Sequence, residues 1–253
     1  MSTDLEAEIR RSYDAKPGAQ DRRAFVGPPE QYDFMGATQF RLLTSLGLVE
    51  DHTVLDIGCG SLRAGRFLIQ YLMPGRYIGV EPNSWLWQEA FAREIGTDVQ
   101  TLKAPRFLDE SDFRLTGLDP ASVDTAVAQS IYSHTGRDTF STSLRGIARV
   151  LKPQGQALFT VVDPAQATKV TPKGIDSAGW IYPGCVTYGR AAVLALCKAA
   201  GLHVQRLDWF HPRQTWYRAV RDPDLRLNRA MRAALGTGRP LFDPRFAAPK
   251  ASR

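Results

Sequence analysis

The chain has 253 residues, 43% hydrophobic and 23% charged, with a formal net charge of +6. That size and balance fit one globular domain with some extra elements and a core of ordinary size, and exclude disorder over most of the length. Cys59, Cys185 and Cys197 are odd in number and widely spaced, which gives neither a disulfide framework nor a zinc pattern, so reduced thiols in a cytoplasmic protein are expected. The opening stretch 1–9 is polar and acidic, unlike a signal peptide, and no apolar run approaches the roughly 20 residues that span a bilayer.

Residues 1–30 read as a polar leader, broken by Gly27-Pro28-Pro29. From 32 to 48, Phe34, Met35, Phe40, Leu43 and Leu46 recur at helical spacing, and Gly47 follows as a stop. The pattern then alternates. Strand-like runs are predicted at 53–57, 77–80, 98–102, 125–129, 157–162 and 203–209, and helix-like runs at 62–72, 84–95, 140–151 and 190–200. Such alternation implies an α/β fold, a mostly parallel sheet with helices on both faces. The runs 203–209 and 215–220 have only 210–214 between them, a hairpin length, so one antiparallel strand is expected near an edge. Residues 1–48 then form a leader and cap helix, 49–220 the main domain, and 221–253 a basic tail. From Arg218 onward nine basic residues face three acidic ones, a difference equal to the whole net charge. Such a tail reads as a solvated helix with a charge bias. Its charge alone would give only non-specific attraction to anions.

The strongest signal is Val54-Leu55-Asp56-Ile57-Gly58-Cys59-Gly60. A buried strand ends at Asp56 and a glycine turn follows, in which Gly58 and Gly60 let the backbone turn tightly and a ligand approach. In an open α/β sheet, ligands bind at this carboxyl edge. A dinucleotide site would place a third glycine at position 63, where Arg63 stands, and Asp56 would repel a pyrophosphate. A cationic ligand tolerates that carboxylate. S-adenosylmethionine (SAM) carries a sulfonium and an ammonium and no phosphate, so the acidic entry favours SAM over NAD. Glu81 ends the next strand, 21 residues after Gly60, about the offset at which a carboxylate meets ribose hydroxyls. Cys59 reads as a small turn residue, not a nucleophile.

Asp56-x-Gly58-x-Gly60 followed by Glu81 resembles the SAM-binding motifs of class I methyltransferases, over roughly residues 53–220. The resemblance implies a Rossmann-like seven-stranded sheet with a terminal antiparallel hairpin. It places Asp56, Gly58, Cys59, Gly60 and Arg63 along the cofactor, with Glu81 on the ribose. Leu62 departs from it, standing where a third glycine is common. Gln129-Ser130-Ile131-Tyr132-Ser133-His134 and Leu151-Lys152-Pro153-Gln154-Gly155 look like a bacterial subgroup of small-molecule or glycan modifiers. The resemblance also implies an acidic residue beside an apolar one after the third strand, on the adenine. Asp112 and Phe113 are the candidates, with Asp109 behind them.

Methyl transfer is an in-line displacement, which asks for positioning and, for a hydroxyl or ammonium acceptor, a base. His134 follows the fourth strand and should overhang the crevice, where an imidazole suits a base at neutral pH. His211, in the turn before the last strand, is a second candidate, with Arg213 as a substrate contact. Gln129 and Ser130 should line the cofactor or acceptor pocket. Trp180 and Tyr182 could form an apolar wall for the acceptor, and Tyr32 and Phe34 could close a lid. Trp85 and Trp87 do not share a helix face. No histidine or carboxylate cluster has metal spacing, so a metal-independent enzyme is expected. The leading reading is a SAM-dependent methyltransferase acting on an O or N atom of a small-molecule acceptor, with no nucleic-acid or membrane partner. An RNA or protein methyltransferase and a non-catalytic SAM-binding scaffold stand as alternatives, and a nicotinamide dehydrogenase comes last.

Overall fold

The computed structural model describes residues 2–237, and side chains from residue 5 onward. Strand β1 (Val54–Ile57) is buried at all four positions, as a central strand covered on both faces must be. Its side chains alternate between two cores: Leu55 and Ile57 enter one, Val54 the other. It pairs in parallel with β2 (Tyr77–Val80) on one side and β4 (Val123–Ala128) on the other. Outward from these lie β3 (Arg106–Leu108) beside β2 and β5 (Leu151–Val161) beside β4. Strand β7 (Thr215–Val220) runs antiparallel between β5 and the edge strand β6 (His203–Leu207). The order is β3-β2-β1-β4-β5-β7-β6, the mostly parallel sheet that the alternation predicted, with the seven strands and terminal antiparallel hairpin that the resemblance implied. The chain progresses one way from β1 to β3 and the other from β4, so a crevice opens at the carboxyl ends of β1 and β4.

Helices cover both faces. One core is closed by α7 (Arg137–Val150) and α8 (Arg190–Ala199). The stripe Phe140, Leu144, Ile147 and Val150 on α7 repeats every three or four residues and faces the sheet. The opposite core takes Leu42 and Leu43 of α3 (Tyr32–Ser45), Leu68 and Ile69 of α4 (Gly65–Tyr71) and Ala90 of α5 (Ser84–Ala90). Ahead of them, α1 (Ser2–Tyr13) and the short α2 (Arg22–Phe25) precede the break at Gly27-Pro28-Pro29. Trp85 and Trp87 diverge as their spacing requires: Trp85 meets Phe25 edge-on, and Trp87 stacks on Phe107 with centroids 4.2 Å apart.

The third strand is not where the sequence pattern put it. Residues 98–102 lie inside a helix, α6 (Thr97–Lys103), and β3 follows at Arg106–Leu108. Within the predicted run 98–102 the β-branched Val99 and Thr101 alternate with Asp98 and Gln100. In the folded chain Val99 packs on the core while Leu102 stays 69% exposed, so there is no apolar face for a strand to bury. Lys103 donates to the Gln70 and Leu72 carbonyls at the C-terminal end of α4, 2.7 Å each, which fixes the helix against its neighbour.

Helix α9 (Arg229–Gly236) starts at an Asn228 cap and lays Met231 and Leu235 on the core. Part of the basic excess is internal. Arg218 is buried and donates to Gln156 Oε1 (2.6 Å) and the Leu225 carbonyl (2.8 Å), and Arg221 donates to the Leu151 carbonyl. Residues 238–253 of the predicted tail lie outside the described residues. Among the described residues no helix is long and apolar enough to cross a membrane.

Candidate active site

The crevice at the ends of β1, β2 and β4 is a single cleft whose floor is the glycine turn. Gly58 and Gly60 both have positive φ, +68° and +53°. A Cβ on Gly58 would sit 2.1 Å from Ile131 Cδ1, and one on Gly60 2.6 Å from Val26 Cγ1, so the backbone favours glycine and any side chain there would have to displace Ile131 or Val26. Leu62, at the third-glycine position of the resembling family, takes the left-handed conformation itself (φ +59°) while fully buried. Burial of its side chain outweighs the backbone strain, about 1–2 kcal/mol for such a residue.

Three carboxylates line this cleft. Asp56 is 4% exposed and accepts a hydrogen bond from Tyr77 Oη at 2.8 Å. Burial lifts its pKa from 3.8 to about 6, against the pull of Tyr77 and of the Arg63 charge. Glu81 accepts from Gly60 N (3.2 Å), Asn83 N (2.8 Å) and Asn83 Nδ2 (2.9 Å), so it fixes the turn it faces. Burial raises its pKa too. Oε1 takes both Asn83 bonds, and Oε2, with only Gly60 N on it, keeps a lone pair to offer. The third carboxylate is Glu110: Oε1 accepts from Gly117 N at 3.0 Å, and Oε2 is buried with no partner. Phe113 lines the cleft beside Glu110 and Ser111. Asp112, the residue expected to accompany it, does not. Its carboxylate turns outward to cap Arg114 N (3.0 Å) and pair with the Arg114 guanidinium, and the residue is exposed. Cys59 also lines the cleft, with burial holding its thiol well above the usual range, so it is an inert wall residue.

Opposite the carboxylates, Gln129, Ser130 and His134 leave the end of β4. The His134 ring is held by the loop 163–189. Its Nδ1 lies 2.6 Å from the Gly184 carbonyl, its own carbonyl accepts from Ile181 N, and Trp180 and Tyr182 meet it edge-on at 5.3 and 4.9 Å. A carbonyl only accepts, so Nδ1 carries the proton and Nε2 keeps its lone pair. Burial lowers the pKa of this ring and keeps it neutral at neutral pH. Phe25 completes an aromatic wall with Tyr182 and Trp85.

The roof comes from the N-terminal segment. Val26 sits over Gly60, and Arg63 Nη1 donates to the Val26 carbonyl at 3.1 Å. Beneath this roof Glu94 binds Arg22 (2.7 Å), Arg23 (3.0 Å) and Arg66, with Arg22 and Arg23 only 1% and 2% exposed. Burial raises the pKa of the Glu94 carboxyl, but the three guanidinium charges outweigh it and lower the pKa overall.

Other expected site residues lie elsewhere. Tyr32 is buried beneath the roof, donating to the Ser61 carbonyl at 2.6 Å, and Phe34 is exposed against Phe210. His211 and Arg213 border the cleft but do not line it. His211 Nδ1 accepts from Arg213 N (3.1 Å), which puts its hydrogen on Nε2, the wrong tautomer for a base at that atom. Sequence reasoning missed Phe25, Val26, Gln39, Glu110 and Ile131 as cleft residues. Among the described residues no three His, Cys, Asp or Glu side chains gather as a metal site.

Residues 55–157 match a methyltransferase domain family. The fold is similar to that of the PH0226 protein of Pyrococcus horikoshii OT3 (17% identity, TM-score 0.59, 83% of this chain and 98% of that one). It is also similar to DhpI in complex with S-adenosylhomocysteine (SAH) (17%, 0.56, 87% and 97%). A third is the magnesium protoporphyrin IX methyltransferase of Synechocystis PCC 6803 with bound SAH (14%, 0.56, 87% and 95%).

Proposed function

We propose that the chain is a class I SAM-dependent methyltransferase, a reading supported by its methyltransferase-domain match over residues 55–157, and that it methylates an O or N atom of a small-molecule acceptor without a metal. SAM supplies a methyl group already activated on a sulfonium, so positioning and proton removal are what remain for the protein. The residues present fit that cofactor. Asp56 is a buried carboxylate without a cationic hydrogen-bond partner, Glu81 faces the glycine turn, and Glu110 offers a buried, unpartnered oxygen. We assign Asp56 and Arg63 to the charged amino-acid end, Glu81 to the ribose, and Glu110 with Phe113, in place of Asp112, to the adenine.

The observation that carries the acceptor reading is His134. Its Nδ1 is fixed on the Gly184 carbonyl, its ring is neutral, and it lines the cleft beside Gln129 and Ser130. In this reading Nε2 removes the acceptor proton, while Phe25, Trp180 and Tyr182 hold the acceptor's apolar body. A cleft roofed by residues of 1–48 favours a small acceptor, and a protein of the same fold is named for magnesium protoporphyrin IX, itself a small molecule. Residues 49–220 form the catalytic unit and 221–253 an accessory tail. Three free cysteines agree with a cytoplasmic location.

The test is a screen of hydroxyl and amine acceptors by SAH release, followed by His134→Gln on the best one. Loss of a base should lower kcat by about 10²–10⁴, erase an acid limb that inflects below the ordinary histidine value, and leave SAH affinity within about two-fold. Unchanged turnover would remove His134 as the base.

A further inference from the structure

A second polar cluster stands beside the cleft and is tied to its wall at Ser130. In the loop between β6 and β7, His211 is 8% exposed and its Nε2–H, fixed as a donor by the Arg213 N to Nδ1 bond, is buried with no partner. Gln214 Nε2 donates to Ser130 Oγ at 3.1 Å, tying this loop to the cleft wall, while Gln214 Oε1 is also buried and unpartnered. Both amide atoms of Gln129, a cleft residue 7% exposed, are in the same condition. Native proteins pair nearly all such groups, so several orphans in one corner point to a ligand.

The charge of that corner is positive. Arg213 Nη1 donates to Gln31 Oε1 (3.1 Å) and Arg63 Nη1 to the Val26 carbonyl (3.1 Å), both neutral acceptors. Among the described residues neither guanidinium forms an ion pair. Burial first, and then both charges, keep His211 neutral, while Asp56 attracts Arg63 from the cofactor side. Arg213 and the His211 N–H donor share one loop, and among the described residues no carboxylate pairs with either.

Resting on the methyltransferase reading, we propose that the acceptor is an anion, a carboxylate or phosphate ester, whose charged group docks on Arg213 and His211 Nε2–H. Guanidinium forks and an N–H donor match the oxygens of either group. The Gln129 and Gln214 amides supply the donor and acceptors that read the polar atoms next to it. This places the anionic end of the acceptor past Ser130 and its reactive atom toward His134.

The test uses the full chain saturated with SAH and 15N-labelled in its histidines. Inorganic phosphate, acetate and neutral acetamide are titrated at pH 7.5 while the side-chain spectrum is followed, and His211→Gln identifies the resonance. Phosphate, acetate or both should shift the His211 Nε2–H saturably, and acetamide should not. The anion that binds names the class. Arg213→Gln, at an exposed position, should weaken that binding about ten-fold or more, as loss of a charged hydrogen bond does, with SAH affinity within about two-fold. If SAH binds and neither anion moves His211, or if Arg213→Gln binds anions as well as the parent, the proposal is overturned while the methyltransferase assignment stands. Failure of SAH itself to bind would fell the assignment first and the proposal with it.

Discussion

Asp56 offers a test in which stability and function should move in opposite directions. The carboxyl is 4% exposed, and burial raises it from 3.8 to about 6. An acid raised by folding costs stability when it ionises. Below about pH 4 both folded and unfolded chains hold the proton and no cost arises. As pH climbs from 4 to 6 the unfolded chain ionises first and the folded state loses ground, and above 6 the cost is complete. Linkage puts that cost at about 1 kcal/mol at pH 4.5 and about 3 kcal/mol at pH 7.5. Asp56→Asn keeps the shape and an acceptor for Tyr77 Oη but removes the titration. Urea unfolding of both proteins without cofactor, from pH 4.5 to 7.5, should therefore show the Asn variant gaining about 2 kcal/mol relative to the parent. The same variant should lose affinity for SAM, whose cationic end is what compensates this carboxylate. A stability difference that stays flat across the range would refute a carboxylate whose burial outweighs the help of Tyr77 and Arg63.

Two further substitutions probe the turn. Glu81→Ala removes the acceptor of Gly60 N and Asn83 N as well as the proposed ribose contact. SAM affinity by calorimetry should fall about 10- to 100-fold, the worth of one or two hydrogen bonds to a charged group, and a change under two-fold would detach Glu81 from the cofactor. Leu62→Gly would restore the glycine of the resembling family and relieve the left-handed strain. It also deletes a fully buried side chain, so the variant should be less stable by about 2 kcal/mol in urea. A more stable variant would mean that strain outweighs packing there.

Legibility in the sequence followed how local the cause was. The run at 54–60 and the strand ending at Glu81 were readable because burial on both faces and the need for positive φ write themselves into adjacent residues. Residues 97–103 misled because β-branched alternation mimics a strand, and only the neighbouring helix ends and the exposed Leu102 decide otherwise. Asp112, expected beside the adenine, does not line the cleft, and the carboxylate that does, Glu110, stands two residues earlier. Asp112 is turned outward by its own bonds to Arg114, and Glu110 is held by Gly117 seven positions on. His134 was visible from its place after β4, yet its tautomer depends on Gly184, fifty residues away. The roof was hidden for the same reason, since Val26 meets Arg63, and Arg22 and Arg23 meet Glu94, across long separations that leave no periodic trace.

A crystal structure of the full chain with SAH tests the site assignment most directly. The expected result places the ribose on Glu81, the adenine amino group within hydrogen-bond distance of Glu110 Oε2, and the sulfur facing the side of the cleft that holds Gln129 and His134. An SAH bound in the reverse sense, with its base against Trp180 and Tyr182, or an adenine held by Asp112 with Glu110 still unpartnered, would contradict it.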